Sequence, residues 1–310
     1  MIYTVTFNPA LDYVMTVNNL HTGEINRADS EQMNYGGKGI NVSAILSRLK
    51  MENKALGFIA GFSGDKLTDM LNADGIDNDF VKLNNGFTRI NVKIKSDNET
   101  DINANGPDIQ KEDLTKLFEK LDALKQGDYL VLAGSIPKSL PDNIYENILE
   151  RLKNRNIKFV IDATGDLLLN VLPYKPFLIK PNHHELGELF DVKIKEYDDI
   201  VKYSKLLQEK GAENVLVSWG KKGAVLLDSQ GNTYRIGNVP GKIVSSVGCG
   251  DSMVAGFVAG YIEKGDYAYA LKLGAACGNA TAFSQSLATK EEIDAMLGSK
   301  HLGEDFNENC

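Results

Sequence analysis

Tyr129-Leu130-Val131-Leu132-Ala133-Gly134-Ser135 is a near-continuous apolar run that stops on a glycine and a hydroxyl. Helix-period segments flank it, at about 111–124 and 142–153. The rhythm then repeats. Phe159-Val160-Ile161 ends at Asp162, Phe177-Leu178-Ile179 ends at Lys180-Pro181-Asn182, and Asn214-Val215-Leu216-Val217 ends at Ser218. Apolar strands alternating with amphipathic helices predict an α/β fold, a mainly parallel sheet with helices on both faces. Ligands of such sheets bind beyond the carboxyl ends of the strands. Ser135, Asp162, Asn182 and Ser218 all fall at those ends.

Downstream, Val247-Gly248-Cys249-Gly250-Asp251-Ser252-Met253 runs into the apolar stretch 254–260. Gly248 and Gly250 allow a tight turn, and Asp251 stands where a helix begins. The first amides of a helix lack intrahelical acceptors and favour negative charge. A carboxylate on that turn could take a proton from a hydroxyl while the amides hold a phosphoryl group. The alternative is a plain strand-to-helix turn with Asp251 as a cap.

Upstream, Tyr35-Gly36-Gly37-Lys38-Gly39-Ile40-Asn41-Val42-Ser43 puts glycines around a lysine before a helix expected over 40–49. Glycine-rich backbone admits an anion and Lys38 supplies its counter-charge. The nucleotide-binding P-loop spacing is absent. Residues 2–7 alternate as a strand that stops at Asn8-Pro9, with Asp12 in the following turn, placed for sugar hydroxyls or for an Asx-type turn. Residues 13–17 read as a short strand with residues 25–33 as its partner. Residues 87–94 alternate, which predicts Ile90, Val92 and Ile94 in the core. With residues 100–103 they predict a hairpin presenting Arg89, Asn91, Asp101 and Asn103 on its other surface. Arg89 beside Lys38 would give a phosphate two cationic contacts.

Asn182 and Glu185 sit three residues apart at a helix start. They suit a hydrated magnesium ion, and equally a capping box. Ser218-Trp219-Gly220-Lys221-Lys222-Gly223 offers a second glycine turn with cations, suited to nucleotide phosphates or to a hairpin. His183 and His184 have no ligand partner at useful spacing and are expected at the surface.

The chain of 310 residues is 43% hydrophobic and 25% charged, enough for one large α/β core or two unequal domains. A net charge of −8 argues against a nucleic-acid partner. No window approaches 18 uninterrupted apolar residues and no charged leader precedes Ile2, so a cytoplasmic protein without membrane attachment is expected. Cys249, Cys277 and Cys310 have neither disulfide-framework nor metal-ligand spacing. The polar tail from Ser299 to Cys310 is expected to be mobile.

Two signatures, Gly36-Gly37-Lys38-Gly39-Ile40-Asn41 and the series Asp162-Ala163-Thr164-Gly165, Lys180-Pro181-Asn182 with Glu185, Gly248-Cys249-Gly250-Asp251, carry a resemblance. The chain resembles the ribokinase-like sugar kinases of the phosphofructokinase-B branch from Asn8 to Asn279. The resemblance implies a three-layer α/β/α kinase domain over 1–310 with a small β-sheet lid formed by about 12–33 and 88–104, and homodimer contacts through the lids. It implies Asp251 as the base, with amides of Gly248, Cys249 and Gly250 as the anion hole. Asp12, Gly37, Lys38, Asn41, Arg89 and Asn103 would hold a sugar phosphate. Lys180, Asn182, Glu185, Ser218, Gly220, Gly223 and Asn279 would line the side of ATP and Mg²⁺, with Asn182 and Glu185 nearest the metal. Within the family, the resemblance over residues 4–13 and 100–103 implies ATP-dependent phosphorylation of fructose 1-phosphate at its 6-hydroxyl. Tagatose 6-phosphate or fructose 6-phosphate is the same-class alternative, and a non-catalytic sugar-phosphate sensor the different-class one. The family usually has Ala at the position of Cys249 and Glu at that of Asp101. A thiol at a helix N-terminus is expected to have a lowered pKa and to oxidise.

Overall fold

The computed structural model describes residues 1–303. In chain order its elements are β1 (Ile2–Thr6), β2 (Ala10–Thr16), β3 (Ser30–Gly36), α1 (Lys38–Arg48), β4 (Asn53–Ala60), α2 (Gly61–Ala73), β5 (Val81–Leu83), β6 (Arg89–Lys95), β7 (Thr100–Ile102) and α3 (Lys111–Leu121). There follow β8 (Tyr129–Ala133), α4 (Ile144–Leu152), β9 (Lys158–Asp162), α5 (Gly165–Val171), β10 (Leu178–Ile179), α6 (His183–Glu188), α7 (Tyr197–Glu209) and β11 (Asn214–Ser218). The last are β12 (Ala224–Leu227), β13 (Thr233–Ile236), α8 (Cys249–Lys264), α9 (Tyr267–Phe283) and α10 (Lys290–Leu297).

Among the described residues, nine strands form one sheet in the order β13-β12-β11-β10-β9-β8-β1-β4-β5. Pairings from β5 to β11 are parallel; the two that add β12 and β13 are antiparallel. Strands buried on both faces are apolar at successive positions, as 129–133, 159–161, 178–179 and 215–217 are; β1 also buries Thr4 and Thr6, and the edge strand β13 exposes Thr233 and Arg235. Leu130 and Leu132 pack with α3, α4, α5 and α7, while Val131 packs with α1, α8, α9 and α10. The three-layer α/β/α arrangement expected from the sequence is therefore the observed one.

A second sheet, β3-β2-β6-β7, stands apart from the first. Its two hairpins come from residues 10–36 and 89–102 and are joined by parallel pairing of β2 with β6, Ala10 opposite Arg89 and Asp12 opposite Asn91. Here two expectations are corrected. The partner of β2 is Ser30–Gly36, not residues 25–33; pairing begins at Gly36 opposite Ala10, and Ile25 lies in the connecting loop, 91% exposed. On β6 the buried side chain is Asn91, while Ile90, Val92 and Ile94 are only half-buried. The sheet overhangs a cleft that covers its polar face; of its apolar face, Leu11 and Ile90 pack on the cluster of Ile40, Ile59 and Leu67, while Val92 and Ile94 lie beyond it. In the C-terminal tail, Ser299 donates to Met296 and Leu302 is buried, while residues 304–310, Cys310 included, lie outside the described residues.

Candidate active site

The carboxyl ends of β1, β8, β9, β10 and β11 open into one cleft of ≈ 2260 Å³, roofed on one side by the small sheet. That exceeds the ~300–1,000 Å³ of a single small-ligand pocket and suits two ligands end to end. Asp12, Lys38, Arg89, Asp162, Lys180 and Asp251 all line it, so both glycine turns face the same space.

Helix α8 starts at Gly248, whose φ of +78° is a left-handed conformation that favours glycine; a Cβ there would stand 2.6 Å from Leu287. Asp251, in the first turn, is buried. Asn41 of α1 donates to its Oδ2 at 2.8 Å, across 210 residues of sequence. Burial and the nearby Asp162 carboxylate push the Asp251 pKa up to about 6, against the pull of Asn41, Lys38 and Lys180. A carboxylate so poised is ionised at neutral pH yet basic enough to accept a proton.

Asp162, at the end of β9, lines the same cleft, though the motifs assign it no ligand. It is fully buried between Lys180 Nζ at 3.3 Å and Lys38 Nζ at 3.2 Å, and neither oxygen makes a hydrogen bond of good geometry. Burial alone would raise its pKa, but the two ammonium groups outweigh burial and hold it below the usual carboxylate value. Lys38 in turn is held above its ordinary value, burial being outweighed by Asp162 and Asp251. Its charged neighbours are thus the carboxylates of Asp162, Asp251 and Glu185. Those of Arg89 are different. Arg89 Nε donates to Asn8 O at 3.1 Å, and burial lowers its pKa against the pull of Asp12. The two cations line one cleft but have different charged neighbours. The signal for Asp162 was its place at a strand end; its pairing with lysines 124 and 18 residues away was not readable locally.

At the small-sheet end, Asp12 accepts from Asn91 Nδ2 at 2.8 Å, and Arg89, Lys93 and Asn103 join it along the wall. Gly37 has a φ of +124°, with Thr6 Cγ2 2.7 Å from where a Cβ would be. At the other end, Ser218 closes β11 and the 220–222 turn leads back into β12, so this glycine turn is a hairpin turn that also lines the cleft. Gly223 has a φ of +93°, and a Cβ there would sit 1.9 Å from Ile236 O. Asn279 is occupied internally: Nδ2 donates to Asn238 Oδ1 and Ala275 O, and Oδ1 accepts from Val239 N. Asn238 also donates to Gly220 O at 2.7 Å, so this unpredicted residue ties two walls together.

Asn182 and Glu185 form a complete capping box on α6. Asn182 Oδ1 accepts from the amides of His184 and Glu185 at 2.8 and 2.9 Å, and Glu185 Oε2 accepts from Asn182 N at 2.7 Å. Among the described residues no group of three or more His, Cys, Asp and Glu is arranged to hold a metal. The box takes up Asn182 Oδ1 and Glu185 Oε2, so Glu185 Oε1 is the oxygen left to face the waters of a Mg²⁺ carried by phosphates, and the wall is no dedicated protein cage. His183 is not simply on the surface. It lies half-buried on this wall, its pKa lowered by burial and by His184.

Cys249 is corrected more sharply. Burial and the adjacent Asp251 push its thiol up to about 11, and Sγ contacts Ser245 O at 3.6 Å. The helix N-terminus does not overcome a buried carboxylate two residues away.

The model of the pfkB family carbohydrate kinases matches residues 5–294. A 1-phosphofructokinase of Bacillus subtilis is 46% identical over 298 residues, 96% of this chain and 97% of that protein. A D-tagatose-1-phosphate kinase of Bacillus licheniformis is 37% identical over 296 residues, 95% and 96% of the two chains. The crystal structure of phosphofructokinase-2 from Escherichia coli in complex with substrates and products superposes with a TM-score of 0.90 at 25% identity, covering 96% of this chain and 98% of that one.

Proposed function

The chain belongs to the pfkB family of carbohydrate kinases and is a sugar-phosphate kinase, and we propose that it phosphorylates the 6-hydroxyl of fructose 1-phosphate with ATP. The products are fructose 1,6-bisphosphate and ADP. The observation that carries this reading is the Asn41–Asp251 contact, which joins the lysine-bearing glycine turn to the start of α8 in a cleft that Arg89 also lines.

Asp251 takes the proton of the attacking hydroxyl, and its raised pKa matches that task near neutrality. The first-turn amides of α8, from Gly248, Cys249 and Gly250, face the charge that develops on the transferred group. Lys38, paired with Asp162 in this structure, supplies a positive charge beside Asp251. Asp12, Gly37, Lys38, Asn41, Arg89 and Asn103 hold the sugar phosphate, with Arg89 able to grip its phosphate bidentately. Lys180, Asn182, Glu185, Ser218, Gly220, Gly223 and Asn279 bound the nucleotide side. Glu185, positioned by Asn182 through the capping box, would hold Mg²⁺ through its waters, and the ion would supply charge that offsets the nucleotide phosphates. The small sheet serves as a lid that excludes water during transfer.

The outer face of that sheet supports a homodimer. Val92 and Ile94 are half-buried there, and Met33 and Ile102 are exposed. Sedimentation of the chain against an Ile102→Asp, Val92→Asp variant tests it. Among the described residues no helix is long and apolar enough to cross a membrane, and both substrates are phosphates of the cell interior, which supports cytoplasmic action.

A second acceptor, tagatose 1-phosphate, is favoured by the Bacillus licheniformis relative, whose named substrate carries its phosphate on the same carbon. A coupled assay of ADP release across fructose 1-phosphate, tagatose 1-phosphate, fructose 6-phosphate and tagatose 6-phosphate decides. The highest kcat/KM is expected on fructose 1-phosphate; preference for a 6-phosphate would overturn the assignment, and no ATP consumption at all would favour a sensor.

A further inference from the structure

Asn91 is the most buried residue of β6, 6% exposed. A buried side-chain amide has to be satisfied, and this one is satisfied by two segments of the acceptor end. Its Nδ2 donates to Asp12 Oδ1 at 2.8 Å, and its Oδ1 accepts from Ala104 N at 3.2 Å, one residue beyond Asn103. The second Asp12 oxygen, Oδ2, lies against Gly36, where a Cβ would be only 2.6 Å away. With β3 paired on one side and β6 on the other, the Asp12 backbone is fixed as well.

On the reading that Asp12 binds the sugar phosphate, we propose that Asn91 is a positioning residue for the acceptor, setting the Asp12 carboxylate and the 103–104 segment in one geometry. The residue type follows from the contacts. An aspartate would put a second carboxylate against Asp12, and a serine or threonine hydroxyl is too short to span both partners.

The test is steady-state kinetics of Asn91→Ala and Asn91→Thr, the second chosen because a β-branched residue suits a strand, with melting temperatures alongside. Losing a hydrogen bond to a charged group should raise the KM for fructose 1-phosphate about 10- to 100-fold. The kcat and the KM for ATP should hold, as expected when binding alone is weakened. Because Asn91 acts through Asp12, Asp12→Ala combined with Asn91→Ala should be little worse than Asp12→Ala alone. An unchanged sugar-phosphate KM in both variants, fully additive effects, or equal losses on both substrates with a lowered melting temperature would each overturn the inference. Those outcomes leave the kinase reading standing. Absence of turnover by the unaltered chain on all four acceptors would remove both.

Discussion

Asn41 donates a 2.8 Å hydrogen bond to Asp251, a polar link between the first helix and the eighth at the cleft end of an apolar contact that includes Val42, Ile45 and Val254. It fixes the carboxylate and favours its ionised form. Removing the carboxylate separates chemistry from binding. Asp251→Asn should lower kcat by about 10²–10⁴, while calorimetry of fructose 1-phosphate binding shows little change. Near-native turnover would exclude Asp251 as the base.

The pH profile follows from the same residue. With its pKa raised from 3.8 to about 6, kcat/KM should fall as pH drops through that value. Asn41→Ala removes a group that favours the ionised form, so the acid limb should move to higher pH. An acid limb that stays put in that variant would mean another group titrates there.

Stability should respond with the opposite sign to activity. A carboxylate whose pKa rises on folding is favoured while protonated, so its contribution is present below about pH 4 and is lost as pH climbs through about 6. At neutral pH Asp251→Asn is therefore expected to stabilise the protein, by about 3 kcal/mol at most. Urea unfolding at pH 7.5 checks this.

Asp162 is the counter-charge for two lysines. Asp162→Asn takes the nearest counter-charge from the buried Lys180, while the half-exposed Lys38 keeps Asp251 and Glu185; urea unfolding should show a loss of about 3 kcal/mol at most. The same change removes a negative charge that raises the Asp251 pKa, so any remaining activity should show an acid limb shifted to lower pH.

The Cys249 thiol should be sluggish. With its pKa at about 11, iodoacetamide at pH 7.5 is expected to label it slowly, and Cys249→Ala to keep near-native turnover, since the hole is built from amides. Rapid labelling with loss of activity would contradict the structure.

The main sheet was legible because Leu130, Val131, Leu132 and the runs 159–161, 178–179 and 215–217 are apolar at every position, too short for buried helices and repeated between amphipathic ones. The cleft ends were legible because glycines and single polar residues stop those runs. Asn91 misled, because alternation gives two faces but not which one is covered. The partner strand of β2 slipped by several residues for a related reason: loop residues such as Ile25 look strand-like in isolation. Asp162 escaped assignment because its meaning lies in Lys38 and Lys180, whose proximity is a product of the topology.

The small sheet, made of two hairpins that meet only through β2 and β6, also has a birth order. During synthesis the segment 10–36 leaves the ribosome well before 89–102. At ~5–20 residues per second, one edge of β2 waits roughly 3–10 s for its neighbour. Over that interval the nascent chain carries an unpaired strand edge, and chaperone capture or premature pairing with a second nascent chain would be decided there.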